Sequence, residues 1–288
     1  MGGAFLFLSA VLLIGLLPVP VLYLFSDLLR FTAFWVIGYR RDVVRKNLER
    51  SFPGISNNEL KVLMHLFYKN LADILMEGIW AFTISRKQVL NRFQILNPGV
   101  IEPYSVAGQS IIGVTAHYAN WEWGSLLASL QTDFNVVAFY KPINNKYIDK
   151  FVRRSRSRFG TTLAAIKETT LAFDKFKDNK SLFLMAADQG MPQKFSERAY
   201  WIKFLHQEIP FLHGMEKHAR QNNLPVIYID IQRVSRGHYT VELSELTSNP
   251  IELDEGALTE MYARKLETII SSKPENWLWS HNRFKLSR

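Results

Sequence analysis

A histidine and a glutamate five residues apart, His117 and Glu122, stand where an apolar run gives way to an amphipathic one. Ser110-Ile111-Ile112-Gly113-Val114-Thr115-Ala116 is short and rich in β-branched residues, as a buried strand is, and helical periodicity begins near Asn120. A His ending a strand and a Glu in the first turn of the next helix can meet across the turn. The carboxylate then fixes the imidazole tautomer and stabilises the imidazolium formed on proton uptake, which makes a general base. Asn120 and Glu122 share this turn with Tyr118, Trp121 and Trp123, a costly composition if packing were its only purpose. No metal is expected. The spacing is not that of a helical metal pair, and the chain has no cysteine.

A second buried run, Ser181 to Ala187, ends in Asp188 and Gln189. Ligands of open α/β sheets gather at strand carboxyl ends, so Asp188 is expected to orient substrate or hold an arginine, with a helix N-cap as the plainer reading. The stretch Lys150 to Gly160 is basic. Arg154 and Arg158 lie one helical turn apart and Arg156 points elsewhere, so at least one guanidinium should face inward, where it suits phosphate or carboxylate. A solvated face is the alternative. Pro274 to Lys285 mixes aromatics with base: a packed terminal cap, or a contact for lipid phosphate. No nucleic-acid recognition motif accompanies it, and no nucleic-acid partner is expected. His65, His206, His213, His218 and His238 show no catalytic spacing and read as structural.

These residues need elements to hold them. The 288 residues carry a formal net charge of +9, which suits an anionic partner: a membrane face, an acidic carrier protein or nucleic acid. Absence of cysteine removes disulfides and a thiolate nucleophile and fits a cytosol-facing domain. Asp27 is the first charged residue, and Ala4 to Leu24 is long enough to cross a bilayer. Arg30, Arg40, Arg41, Arg45, Lys46 and Arg50 follow, placing the body in the cytoplasm by the positive-inside rule. Pro18 and Pro20 would kink a span and permit a shallower interfacial anchor; a buried core helix is the remaining alternative. Residues 1–38 are therefore read as a membrane anchor and 39–288 as a catalytic domain. Ser56 to Glu59 reads as a capping box opening a helix with Leu60, Leu63, Phe67, Leu71, Ile74 and Gly78 on one face. From residue 110 onward, strands (110–116, 134–140, 181–187, 225–234, 238–243) alternate with helices (120–131, 145–159, 167–178, 211–222, 257–272). That predicts an α/β fold, a mixed sheet flanked by helices behind an N-terminal membrane-anchoring helix.

The chain resembles the late-acting lauroyl/myristoyl-type lipid A biosynthesis acyltransferases, of the lysophospholipid-acyltransferase-like superfamily, along most of its length. The resemblance is carried by Tyr39-Arg40-Arg41, Asn47-Leu48, Phe52-Pro53, His117-Tyr118-Ala119-Asn120-Trp121-Glu122 and Arg158-Phe159-Gly160. It continues through Ala187-Asp188-Gln189, Pro210-Phe211, Leu224-Pro225-Val226 and Trp279 with His281 and Arg283-Phe284-Lys285. Ala119 stands where such proteins commonly have Gly, a difference that matters only if the backbone there needs positive φ. The resemblance implies a glycerolipid-acyltransferase-like fold and a His117–Glu122 catalytic dyad. It further implies substrate contacts from Asn120, Arg154, Arg156, Arg158, Asp188, Gln189, His281 and Arg283. The implied reaction is attack by a hydroxyl of a lipid A precursor on a thioester presented by acyl carrier protein, with no cofactor, at the cytoplasmic face of the inner membrane. Membrane lipids are implied partners. Other acceptors (another glycolipid, an amino-acid lipid), lipid or thioester hydrolysis, and a non-catalytic scaffold are the competing readings; no Gly-x-Ser-x-Gly elbow supports a serine hydrolase.

Overall fold

The computed structural model describes residues 2–191, Gln193 and 199–287, with side chains described from Leu6 onward. Helices α1 (Gly2–Gly15), α2 (Val19–Phe31), α3 (Arg41–Ser51), α4 (Asn57–Trp80) and α5 (Arg86–Arg92) precede the sheet-forming part. There follow β1 (Phe93–Ile95), α6 (Glu102–Val106), β2 (Ile111–Thr115), α7 (Trp121–Gln131), β3 (Asn135–Tyr140), α8 (Lys146–Ser157), β4 (Thr162–Ala165) and α9 (Thr169–Phe176). The chain continues through β5 (Ser181–Ala186), β6 (Tyr200–Phe204), β7 (Gln207–Phe211), α10 (Gly214–Asn222), β8 (Val226–Ser235), β9 (His238–Thr247) and α11 (Ala257–Ser272). A seven-stranded sheet runs in the order β1-β9-β8-β2-β5-β3-β4, with every pairing parallel except the β8–β9 hairpin. The sheet is mixed, as the alternation predicts. Residues 200–211 form a separate hairpin, β6–β7, where the sequence reading has no strand; the helix expected over 211–222 accordingly starts at Gly214. Short strands β1 and β4 were also not legible, because three or four residues carry too little periodicity.

Helix α7 covers one face of the sheet; a Cβ on its Gly124 would lie 3.3 Å from Ile231 Cδ1 of β8. The other face is closed by α9, α10 and α11, where Phe173 stacks on Phe183 and on His218, and Tyr262 packs on Tyr228. Gly113 sits at the centre of β2. A side chain there would come within 2.6 Å of Ile229 Cδ1 and 2.9 Å of Leu182 Cδ1, so the flanking strands depend on its absence.

The N-terminal apolar run differs from expectation. Ala4 to Leu24 is not one helix: Pro18 is the N-cap of α2 and Pro20 lies in its first turn, so the chain breaks between Gly15 and Val19. The helical stretch long and apolar enough to cross a membrane is Val19–Val36, which continues α2 into a π-helical turn, Thr32–Val36. Its inner side packs on α4, with Ser26 Oγ–H donating to Asp73 at 2.5 Å and Tyr23 Oη–H to Glu77 at 2.8 Å. Leu24, Leu28, Phe31, Trp35 and Ile37 remain exposed on the outer side, Trp35 at 61%. The segment is thus two-sided, with polar ties inward and bare apolar surface outward.

Candidate active site

Parallel pairing of β2 with β5 places Thr115 opposite Ala186, and two residues further along each strand stand His117 and Asp188. Both strands release their carboxyl ends at the same place, which brings the two side chains together. His117 Nδ1–H donates to Asp188 Oδ1 at 2.6 Å, and the His117 backbone N–H donates to Oδ2 at 3.0 Å. Trp277 Nε1–H adds a third donor to Oδ2 at 2.9 Å. With Nδ1 committed to a carboxylate, the Nε2 lone pair is left facing the cavity. Burial alone would raise the Asp188 pKa. The charge of His117 and these hydrogen bonds outweigh it and hold the carboxyl at about 2. Burial likewise depresses His117, but the Asp188 charge and hydrogen bond, helped by the charge of Glu122, lift its pKa above the ordinary value.

Here the sequence reading is corrected. Glu122 was expected to fix the imidazole tautomer, and Asp188 does so. The Glu122 carboxylate instead accepts from Arg156 Nη2 at 2.6 Å, in a pair about one-third exposed, and acts on His117 through its charge. The helix geometry explains why. Asn120 caps α7, accepting from Trp123 N–H at 3.1 Å, and this turns Glu122 toward α8. The basic run divides differently from its expected spacing. Arg156 reaches the cavity and Arg154 is exposed outside its lining. Arg158 donates to the carbonyls of Phe82 and Ile84, which makes it a structural bolt rather than a substrate contact. Asn120 is fully buried between Trp123 and Glu77, and Arg283 is buried against Phe211, donating to Pro210 O at 3.1 Å. Neither is placed to touch substrate. Gln189 Nε2 lies 3.2 Å from His117 Nε2, and His281 borders Gly190 beside the dyad.

The chain end straps the catalytic turn. Tyr118 forms a β-bridge with Trp277; Ala119 N–H donates to Asn276 O at 2.9 Å and Leu278 N–H to His117 O at 3.2 Å. That strap is fixed from α3, where Asn47 Nδ2 donates to the carbonyls of Trp279 and His281 at 2.8 and 2.9 Å, and by Arg40 on Ser280 O at 2.7 Å. Within the turn Ala119 has φ +48°, so the condition under which its methyl matters is met.

A cavity of about 970 Å³ opens at His117, Glu122 and Gln189. Its inner wall is the α7-facing side of the sheet, with Ile111, Leu182, Leu184, Ile229, Ile231 and Leu243 presenting aliphatic side chains, and Leu127 and Ala128 opposite. Its cationic residues are Arg156, Lys141, Lys167 and Lys217. An aliphatic chain and an anionic group can therefore be held on either side of one unoccupied imidazole nitrogen. Trp277 and the α4 residues Asn70, Asp73 and Glu77 went unread in the sequence. Polar residues at spacings of three and four inside Phe67-Tyr68-Lys69-Asn70-Leu71-Ala72-Asp73-Ile74-Leu75-Met76-Glu77 were the available signal.

Residues 1–286 match the model of the bacterial lipid A biosynthesis acyltransferase family. The chain is 23% identical over 272 residues to the lipid A biosynthesis palmitoleoyltransferase of Escherichia coli K12, covering 93% of this chain and 86% of that protein. It is 22% identical over 272 residues to the lipid A biosynthesis lauroyltransferase of the same organism, covering 93% and 87%.

Proposed function

Because the chain belongs to the bacterial lipid A biosynthesis acyltransferase family, we propose that it transfers a fatty acyl group from acyl carrier protein to a hydroxyl of a lipid A precursor. The observation that carries this reading is the cavity itself: an Asp188-oriented imidazole at the mouth of an aliphatic chamber with cationic residues in its lining. The acceptor hydroxyl, on a 3-hydroxyacyl chain of a phosphorylated glucosamine disaccharide, displaces the Gln189 amide at His117 Nε2. It then gives up its proton there and attacks the thioester carbonyl. The imidazolium is stabilised by the Asp188 carboxylate and the Glu122 charge. When the tetrahedral adduct collapses, the C–S bond breaks and the carrier thiolate takes the proton back from Nε2. The displaced Gln189 amide is within reach to donate to the oxyanion. No acyl-enzyme is needed.

In this reading the fold is glycerolipid-acyltransferase-like and the exposed outer side of α1 and α2 lies in the cytoplasmic face of the inner membrane. There its leucines and aromatics meet acyl chains, and Arg30, Arg40 and Arg41 meet lipid phosphates. Residues 1–38 are then an anchor docked on the domain formed by 39–288, since Ser26 and Tyr23 bond to α4. The test is direct. Purified protein in vesicles is incubated with acyl carrier proteins bearing chains of several lengths and with a lipid A precursor, and products are weighed by mass spectrometry. A gain of one acyl mass on the precursor is expected. Free fatty acid alone would show hydrolysis, and acylation of another glycolipid or an amino-acid lipid would move the acceptor assignment.

A further inference from the structure

Three polar residues of α4, Asn70, Asp73 and Glu77, are buried, and no step of the proposed reaction uses them. Their spacing gathers them on one side of the helix. Asp73 accepts from Ser26 of α2 and from Arg233 and Arg236 of the β8–β9 hairpin, each at 2.5 or 2.6 Å. Asn70 donates to Asn276 Oδ1 at 2.8 Å, and the backbone oxygen of Asn276 receives Ala119 N–H. Glu77 is the most enclosed. Its carboxylate accepts Tyr23 Oη–H of α2 at 2.8 Å, Tyr239 Oη–H of β9 at 2.6 Å and Asn120 Nδ2–H at 2.6 Å, and its backbone oxygen accepts Trp123 Nε1–H at 3.1 Å.

Asn120 and Trp123 bracket Glu122, and Glu77 holds both. A residue needed only for packing at this place would be apolar, because a buried carboxylate is costly unless its partners converge on it. Here they converge from three elements, and one of the three is the apolar helix α2. We propose that Glu77 is a positioning residue of the acyl-transfer site: its carboxylate sets the first turn of α7, and with it Glu122, against His117, and ties that turn to α2. The proposal rests on the reading of His117 as the reacting base.

The charged and titratable groups near His117 are Asp188 after β5, Glu122 on α7, and His281 and Arg283 on the chain end, with Arg156 of α8 reaching Glu122. Among these, Glu122 is the one carried by the turn that Glu77 holds. Loosening the turn should therefore withdraw the Glu122 charge from His117 and leave Asp188 in place.

The experiment follows the His117 imidazole titration by NMR in the full-length protein in detergent, with labelled histidine and assignment from the spectrum of His117→Ala. Glu77→Gln should lower the His117 pKa by about half a unit, a fraction of the shift a neighbouring charge produces. It should also reduce kcat about tenfold, as a small misplacement of a reacting group does, with KM for acyl carrier protein unchanged. The double variant Glu77→Gln/Asn120→Asp reverses the polarity of the pair, the new amide donating to the new carboxylate while the cap on Trp123 is kept, and should restore both readings. Tyr23→Phe should shift the titration the same way, by less. An unchanged pKa and kcat in folded Glu77→Gln, or a double variant that restores neither, overturns the proposal. If Glu77→Gln does not fold, Tyr23→Phe and Tyr239→Phe decide, and an unmoved titration in both overturns it. Absence of acyl transfer by the wild-type protein would instead remove the functional reading, while the titration still judges the coupling.

Discussion

Two carboxylates flank His117, and they are held in opposite ways. Asp188 is 4% exposed, takes three hydrogen bonds and has no freedom to turn. Glu122 is 32% exposed and shares its charge with Arg156, which is 30% exposed in the same cavity. The buried acid is built to orient, because every lone pair it presents is already spoken for by the imidazole or by the strap that covers it. The open acid can answer an incoming substrate, since an anionic group arriving at Arg156 would compete for the guanidinium and return the full Glu122 charge to His117. One acid fixes the base, and the other modulates it.

The bluntest way to break that division is to remove what both acids serve. His117→Ala should abolish transfer, lowering kcat/KM by about 10³-fold or more, while membrane attachment and melting temperature stay near wild type. A variant retaining more than a tenth of activity would show that neither acid acts through this imidazole.

Next comes the oriented side. Asp188→Asn keeps the shape but permits the wrong tautomer, and it should cost about 10²- to 10³-fold in kcat. It should also lower stability in a particular pH window. The His117 pKa is raised on folding, so its contribution is present below 6.5 and fades as pH climbs through the folded value. The Asp188 pKa is depressed, so its contribution is present above 3.8 and fades as pH falls toward about 2. The difference in melting temperature between wild type and Asp188→Asn should therefore be largest between 3.8 and 6.5 and narrow on either side. A difference independent of pH would mean the pair is held by packing rather than charge.

On the open side, Glu122→Gln removes a raising influence from His117. The base works unprotonated, so activity is lost below its pKa, and lowering that pKa should move the acid limb of kcat/KM to lower pH. The loss at the plateau should be smaller than for Asp188→Asn, about ten- to a hundredfold. Melting should hardly change, because ion pairs this exposed contribute about 0–1 kcal/mol. If the limb stays in place, Glu122 acts through Arg156 and not through the imidazole.

The same contrast explains what could be read from the chain. Both acids were visible as strand-end or helix-start residues, and β2 and β5 were legible from their apolar runs. Which acid met Nδ1 depended on strand order, and strand order is invisible to periodicity: β5 follows β2 by some seventy residues yet pairs directly beside it. The arginine run failed for a related reason. Helical spacing groups Arg154 with Arg158, but which side of α8 faces the cavity is decided by its packing, and that side carries Arg156. The break between α1 and α2 was legible from Pro18 and Pro20. Its partner surface on α4 was not, because the polar stripe from Asn70 to Glu77 is interleaved with the apolar one that reads as core.

The smallest effect tests how strictly the turn between the two acids is drawn. Ala119 is fully buried at φ +48°, with Asn276 holding its N–H, so the residue joining His117 to Asn120 has left-handed geometry. Ala119→Gly relieves about 1 kcal/mol of that strain. It also removes a buried methyl, about 0.8 kcal/mol, and raises the entropy of the unfolded chain by a similar amount. These nearly cancel, so Ala119→Gly should melt within a few degrees of wild type and keep its kcat. Ala119→Val, β-branched at positive φ in a filled site, has no such offset. It should lose both stability and activity, because the turn can accommodate it only by moving His117 away from one acid or Glu122 away from its place. Equal behaviour of the glycine and valine variants would show that this backbone is free to relax, and that the two acids owe their different roles to their own surroundings rather than to the turn that separates them.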